Sequence, residues 1–521
     1  MANRFAAVLG LGLLCMTAAA IARQQSAQIE EATIAELHGA MRDGRLTCRA
    51  LVEHYLARIE AYDRQGPALN ALVVVNPDAL RDADAADARF RDSGGPSRPL
   101  DCIPAIVKDN FETIGLQSAA GSKSLEGFVS DRDAFQVRRI KAAGAIVLAK
   151  SNMDEFAFSP YETLSSLQGH TKNPYALDRV PAGSSGGTAA AVASNLGAIG
   201  LGSDTGNSIR GPSSHTALVG IRSTMGLTSR AGVIPLSFNA DVAGPMTRTV
   251  ADAVAVLQVI AGEDPDDPMT ARLGGRTIPT YADSLVAGGL KGARIGILRQ
   301  AYERARAAPD AEVLAVFAKA LDDMRAAGAE VVDGVTVADV PRERGAGGCR
   351  GFVYDMNDYL KTRGANAPRH TLDDIIESGL FHEKNARRLE GMRGETGQGP
   401  ESEACQADTA YRTAFADALA AAMDAHQLDA LVYPTWSHPP RLIGDLESPH
   451  GDNSQVHSPR SGFPAINVPM GYTRGDTLPL GVTFLGRAWD EPTLIRLAYS
   501  YEQATRHRRP PASTPPLRAG R

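Results

Sequence analysis

Residues Gly183–Arg210 read GSSGGTAAAVASNLGAIGLGSDTGNSIR. Two glycine-rich turns, each carrying serine, bracket a run of small residues from Thr188 to Leu196. Glycine lets a backbone turn sharply and bring its N–H groups close to a ligand or an oxyanion. A serine in such a turn can serve as a nucleophile, its negative transition state held by those same N–H groups. The Ala/Val/Ser run predicts a tightly buried helix that fixes one turn relative to the other.

Outward from this stretch, short apolar runs alternate with helical spacing. Upstream, Ile34 to Tyr62 is helical with Thr47 as an N-cap, and Leu72–Val75 is a strand. A helix rich in Ala, Asp and Arg then ends near Ser93. Pro104–Lys108 reads as a buried strand ending in a lysine, Gln136–Ala142 as a helix and Ala145–Leu148 as a strand. Downstream, helices are expected at Ala311–Ala326, Thr409–His426 and Glu491–Thr505, and strands at Leu428–Tyr433, Ala465–Val468 and Gly481–Leu485. The alternation predicts an α/β fold with a large central sheet. No linker or internal repeat divides it, so residues 23–521 read as one composite domain. Its middle, about 265–457, carries more charge, Gly and Pro and is the expected substrate-shaping region.

The 521 residues are 43% hydrophobic and 22% charged, the balance of a soluble globular protein. A net charge of −6 with no run of Lys or Arg argues against a nucleic-acid partner. Arg4, the apolar run Phe5–Ile21 and the small-x-small Ala20-Ile21-Ala22 read as a secretory signal peptide over residues 1–22. The run is short for a membrane span. The expected location is therefore periplasmic or secreted, without stable membrane insertion. Beyond Ala22 stand Cys48, Cys102, Cys349 and Cys405. None has metal-ligand spacing, so no metal is expected. Their pairing stays open: a bridge such as Cys349–Cys405 and buried free thiols both fit.

Several motif readings compete for the glycine–serine stretch. Gly183-Ser184-Ser185-Gly186-Gly187 satisfies GxSxG with Ser185 at its centre, but that elbow needs a strand before it and a downstream Asp and His. Asn173–Ala182 contains two prolines and no strand pattern. Gly200-Leu201-Gly202 with Gly206 has the wrong spacing for a dinucleotide fingerprint, and no phosphate loop occurs, so no organic cofactor is implied. The remaining reading joins both turns to Lys108. In Pro104–Asn110, Ala142–Met153, Gly183–Gly187, Gly202–Arg210, Gly244–Met246 and Gly462–Ala465 the chain resembles the amidase signature family, serine hydrolases that cleave amides with a Ser–Ser–Lys triad. The likeness spans nearly all the chain beyond residue 22 and is weakest from about 265 to 430.

That resemblance implies a single large domain whose central mixed β-sheet is covered by helices on both faces. It implies Ser208 as the nucleophile, Ser184 as a bridging serine preceded by a cis peptide bond, and Lys108 as the final proton acceptor. The N–H groups of Thr205, Gly206, Asn207 and Ser208 would form the oxyanion hole. The chemistry is coherent: a serine hydroxyl needs a base, and lysine becomes one when burial disfavours its ammonium form. Two positions depart from the family pattern. Asn207 replaces a glycine and is expected to reach the pocket, and Asp101-Cys102 replaces a His-Gly pair. Asp204 and Arg210 read as a structural polar pair. Met153, Phe156, Phe158 and Trp436 are candidates for an apolar pocket or for core. The expected activity is hydrolysis of a small-molecule or peptide amide through an acyl-enzyme, and a homodimer is compatible with it. The alternatives are a glutaminase-type subunit of an amidotransferase and a non-catalytic periplasmic binding protein.

Overall fold

Why the lysine of Pro104–Lys108 ends up dry is answered by its sheet. In the computed structural model, which describes residues 28–304, 307–341 and 349–517, the strands are β1 (Leu72–Val75), β2 (Pro104–Lys108), β3 (Ile146–Ser151), β4 (Leu164–Ser165), β5 (Gly169–His170), β6 (Ile199–Asp204), β7 (Val219–Arg222), β8 (Val242–Thr247), β9 (Arg294–Ile297), β10 (Glu330–Val332), β11 (Ala430–Pro434), β12 (Ala465–Thr473) and β13 (Leu478–Leu485). Eleven of them form one sheet in the order β1-β3-β2-β6-β8-β7-β12-β13-β11-β9-β10, and β4 pairs with β5 apart from it. The proposed leader over residues 1–22 lies outside the described residues.

The sheet is mixed. β2 runs parallel to both β3 and β6, and β9 runs parallel to both β10 and β11. The remaining neighbours are antiparallel. β2, β3 and β6 are buried at every residue. Parallel strands covered on both faces read as near-continuous apolar runs, which is how Pro104–Lys108 and Ala145–Leu148 stood out; the latter strand extends to Ser151. The single large domain, sheeted at its centre and helical on both faces, is as expected.

The small-residue run folds as the helix Gly186–Ala193, buried at every position. It packs on β2, β6 and β8, because Ala and Gly side chains let the helix axis come close to the sheet. Ile34–Tyr62 divides into helices Ile34–Arg42 and Cys48–Arg58. Gly44 at φ +67° turns the chain between them, and Thr47 Oγ1 accepts the Ala50 N–H at 3.1 Å to cap the second. The helix expected to begin at Thr409 starts at Glu403, capped by Ser402. One apolar cluster gathers around β2, β3 and β6, and a second around β11, β12 and β13. A smaller third cluster joins Met153 and Phe156 to Phe352, Met356 and Ile375 from the middle of the chain.

Two disulfides close, Cys48–Cys102 and Cys349–Cys405. The first ties helix Cys48–Arg58 to the turn that feeds β2, and it gives the Asp101-Cys102 departure a physical basis. The Asp101 carboxylate accepts the N–H groups of Ser97 at 3.0 Å and Arg98 at 2.8 Å, and pairs with the Arg98 guanidinium. Cys102 sits at φ +60°, a conformation that favours glycine, and is held there by its bridge. The closed loop separates its ends by 54 residues, so chain entropy assigns it about 4 kcal/mol. The double variant Cys48→Ser/Cys102→Ser should therefore keep its far-ultraviolet spectrum but unfold at distinctly lower denaturant concentration. An unchanged midpoint would show that the bridge does not constrain the unfolded chain.

Candidate active site

β2 delivers Lys108 into the middle of the sheet with no solvent exposure. Its ammonium nitrogen lies 2.8 Å from Ser184 Oγ, 2.9 Å from Ser203 Oγ and 3.4 Å from the Ser203 carbonyl. Desolvation pushes its pKa down to about 7, against the upward pull of Asp241, Asp204 and Asp154. Both protonation states are thus within reach at neutral pH.

Ser184 follows a cis peptide bond from Gly183. A Cβ on Gly183 would lie 1.8 Å from the Glu162 carbonyl oxygen, so only glycine fits there. The loop after β3 grips this turn from outside. The Asp154 N–H donates to the Ser184 carbonyl at 3.1 Å, and the Gly183 N–H donates to the Pro160 carbonyl at 2.8 Å. Ser185, the centre of GxSxG, is buried and its hydroxyl donates to the Ser203 carbonyl at 3.2 Å. That serine is spent on the fold.

The second turn leaves the end of β6. Asp204 anchors it, and the expected pairing with Arg210 is present at 3.1 Å, joined by Arg222 at 3.2 Å. All three side chains are fully buried. Arg210 also donates to the Gly206 carbonyl at 2.6 Å and so shapes the turn. Asp204 Oδ2 accepts the Ile209 N–H at 3.2 Å, which removes any capping duty from Ser208. Among the described residues the N–H groups of Gly206, Asn207 and Ser208 donate to nothing, and neither does the Ser208 hydroxyl. Thr205 differs in that its hydroxyl is committed to Asp241 at 2.5 Å.

Ser208, Thr205 and Gly206 line a cleft of about 280 Å³ with Phe158, Ser237 and Gln455. Of the four residues weighed for an apolar pocket, Phe158 reaches this cleft. Met153 and Phe156 belong to the apolar cluster beneath it, and Trp436 is buried with its indole N–H donating to the Gly211 carbonyl at 3.0 Å. Asn207 does not reach the cleft as expected. Its amide turns away and donates to Asp452 at 2.8 Å.

The structure joins Lys108 directly to Ser184, and sets Ser208 on the cleft wall; among the described residues no hydrogen bond links the two serines. Sequence reasoning missed two groups beside them. Ser203 shares Lys108 with Ser184 and accepts from Asn110 at 3.0 Å; it lies between the two glycine-rich turns, so the alternation of β6 could have found it. The second is a strap from the middle of the chain. Lys384 pairs with Asp154 at 2.5 Å and Glu162 at 3.1 Å, and Arg388 stacks 3.8 Å over Phe158. Nothing in sequence pointed to it, because Lys384 and Asp154 are 230 residues apart.

The family profile described as Amidase matches residues 50–495. Among solved structures, native peptide amidase from Stenotrophomonas maltophilia is 38% identical with a TM-score of 0.79, covering 92% of this chain and 98% of its own. A probable amidase of Arabidopsis thaliana is 35% identical over 505 residues, 93% of this chain and 92% of the relative. A glutamyl-tRNA(Gln) amidotransferase subunit of Acinetobacter baumannii is 35% identical over 488 residues, 91% of this chain and 96% of that protein.

Burial of Lys108 carries a stability consequence of known sign. Between about pH 7 and the ordinary lysine range the unfolded chain binds a proton that the folded chain does not, so stability from this group rises with pH across that window. Below pH 7 the full penalty acts, on the order of 5 kcal/mol. Lys108→Met should therefore melt higher than the parent at pH 6, with the gap narrowing toward pH 10. A lower melting temperature at pH 6 would mean that the lysine is held charged by its surroundings.

Proposed function

The chain belongs to the Amidase family, and on that premise we propose that it is a serine amidase releasing ammonia from primary carboxamides, with Ser208 as nucleophile, Ser184 as proton bridge and Lys108 as base. One observation carries the reading: a desolvated lysine is hydrogen-bonded to Ser184, while the next turn holds unspent N–H donors beside Ser208.

In the first half-reaction Ser208 Oγ bonds to the amide carbonyl carbon, and its proton passes through Ser184 Oγ to neutral Lys108. The carbonyl oxygen becomes an oxyanion facing the N–H groups of Gly206, Asn207 and Ser208, with Thr205 completing the hole. Each such donor is worth roughly 10²–10³ in rate. The C–N bond then breaks, the nitrogen takes back the proton, and ammonia leaves an ester on Ser208. Water repeats the sequence and frees the acid. Lys108 is too buried to meet substrate, so Ser184 is needed to reach it.

Proximity of Lys108 to Ser184 supports catalysis over a pure binding role. Two disulfides support an oxidising compartment, and with it the secreted or periplasmic location read from residues 1–22. They weigh against a cytoplasmic amidotransferase component.

Ser208→Ala should abolish ammonia release from a panel of peptide and acyl amides while leaving the melting temperature within a degree or two; turnover at the parent rate would exclude this nucleophile. With the parent enzyme, kcat/KM should climb from pH 6 and level off above about pH 8, as Lys108 loses its proton near 7. A flat profile would remove lysine as the base.

A further inference from the structure

We propose that the cleft beside Ser208 selects amides whose acyl part carries a negative charge, and that Arg460 is the residue that reads it. This deepens the proposed function and rests on it, since loss of ammonia leaves the acyl part as all there is to recognise.

The charges around the cleft do not balance. Among the described residues two arginines line it, Arg412 and Arg460, and no carboxylate does. Arg412 is already paired, its guanidinium 2.6 Å from Asp408 and 3.1 Å from the Pro459 carbonyl. Arg460 touches the Tyr411 hydroxyl at 3.3 Å, and among the described residues no carboxylate lies within ion-pair distance of it. The carboxylates nearest the turn are consumed behind it. Asp452 accepts from Asn207, the Ser454 N–H and Gln455, all at 2.8–3.0 Å. Asp241 accepts from Thr205 and from the N–H groups of Leu236 and Ser237.

Arg460 is half-buried, on the short helix His457–Ser461 that borders the cleft. A guanidinium in that setting, partly stripped of water and with no carboxylate beside it among the described residues, gains most from a carboxylate or phosphate arriving with the ligand. One charge-assisted hydrogen bond of this kind is worth about tenfold or more in affinity. Lysine would supply the charge without the planar fork, so it should recover part of the effect.

The test compares ammonia release from matched pairs: acetyl-glutamic α-amide and its γ-methyl ester, and succinyl-phenylalanine amide and its methyl ester. The parent enzyme should favour the acid of at least one pair by about tenfold or more in kcat/KM, mostly through KM. Arg460→Met should bring that ratio to near one, and Arg460→Lys should restore part of it. Raising salt should weaken the parent's preference for the acid while leaving the ester's KM in place, which tests the charge without any variant. Equal rates on acid and ester with the parent enzyme would overturn the proposal, as would a ratio in Arg460→Met equal to the parent's. Release of ammonia from neither member of either pair, nor from neutral peptide amides, would instead overturn the proposed function itself.

Discussion

Everything at this site follows from one unfavourable act, the burial of Lys108 at the end of a central strand. An ammonium in that position loses its hydration and recovers, among the described residues, two hydroxyls and a carbonyl. The fold tolerates this because β2 lies between β3 and β6, deep inside the sheet, where the rest of the strand is strongly apolar. The charge is discouraged, which is what the proposed base requires. Ser184 and Ser203 supply the hydroxyls that receive the lysine.

Around that centre the two turns are rigid for different reasons. The first is crowded: Gly183 is hemmed in by the Glu162 carbonyl, and the loop at Asp154–Pro160 donates to and accepts from its backbone. The second is held by charge. Asp204 sits between Arg210 and Arg222, all three dry, with the carboxyl held below its usual range by the two guanidiniums despite its burial. Breaking one partner of such a buried set strands the others, which keeps the turn from relaxing. Its N–H groups at Gly206, Asn207 and Ser208 are thereby left without an acceptor among the described residues.

Much of this was legible in the amino-acid sequence, and the exceptions share a cause. Strands such as Pro104–Lys108 and the one read at Ala145–Leu148, the helix Ala311–Ala326 and the Thr47 cap are local patterns, visible as composition and period within a few residues. Gly183–Arg210 carried both turns and both serines for the same reason. Asn207 could not be read, because its direction is set by Asp452, 245 residues away. The Cys48–Cys102 pairing was open since either cysteine had three partners to choose from. Phe158 looked no different from Phe156 in sequence; what separates them is which one the strap residue Arg388 covers.

The parts of the site are unevenly distributed along the chain. The residues proposed as base, bridging serine, nucleophile and oxyanion donors all come from Lys108 to Ser208, whereas most of the opposing cleft wall comes from Leu236 to Arg460, and the strap is drawn from that same later half. Such a layout separates two kinds of inheritance. Changes after residue 236 can repaint what the cleft admits while Lys108, Ser184 and Ser208 keep their places, provided they spare Asp241 and Asp452, which steady the second turn from behind. A lineage built this way is free to wander among substrates while its chemistry stands still.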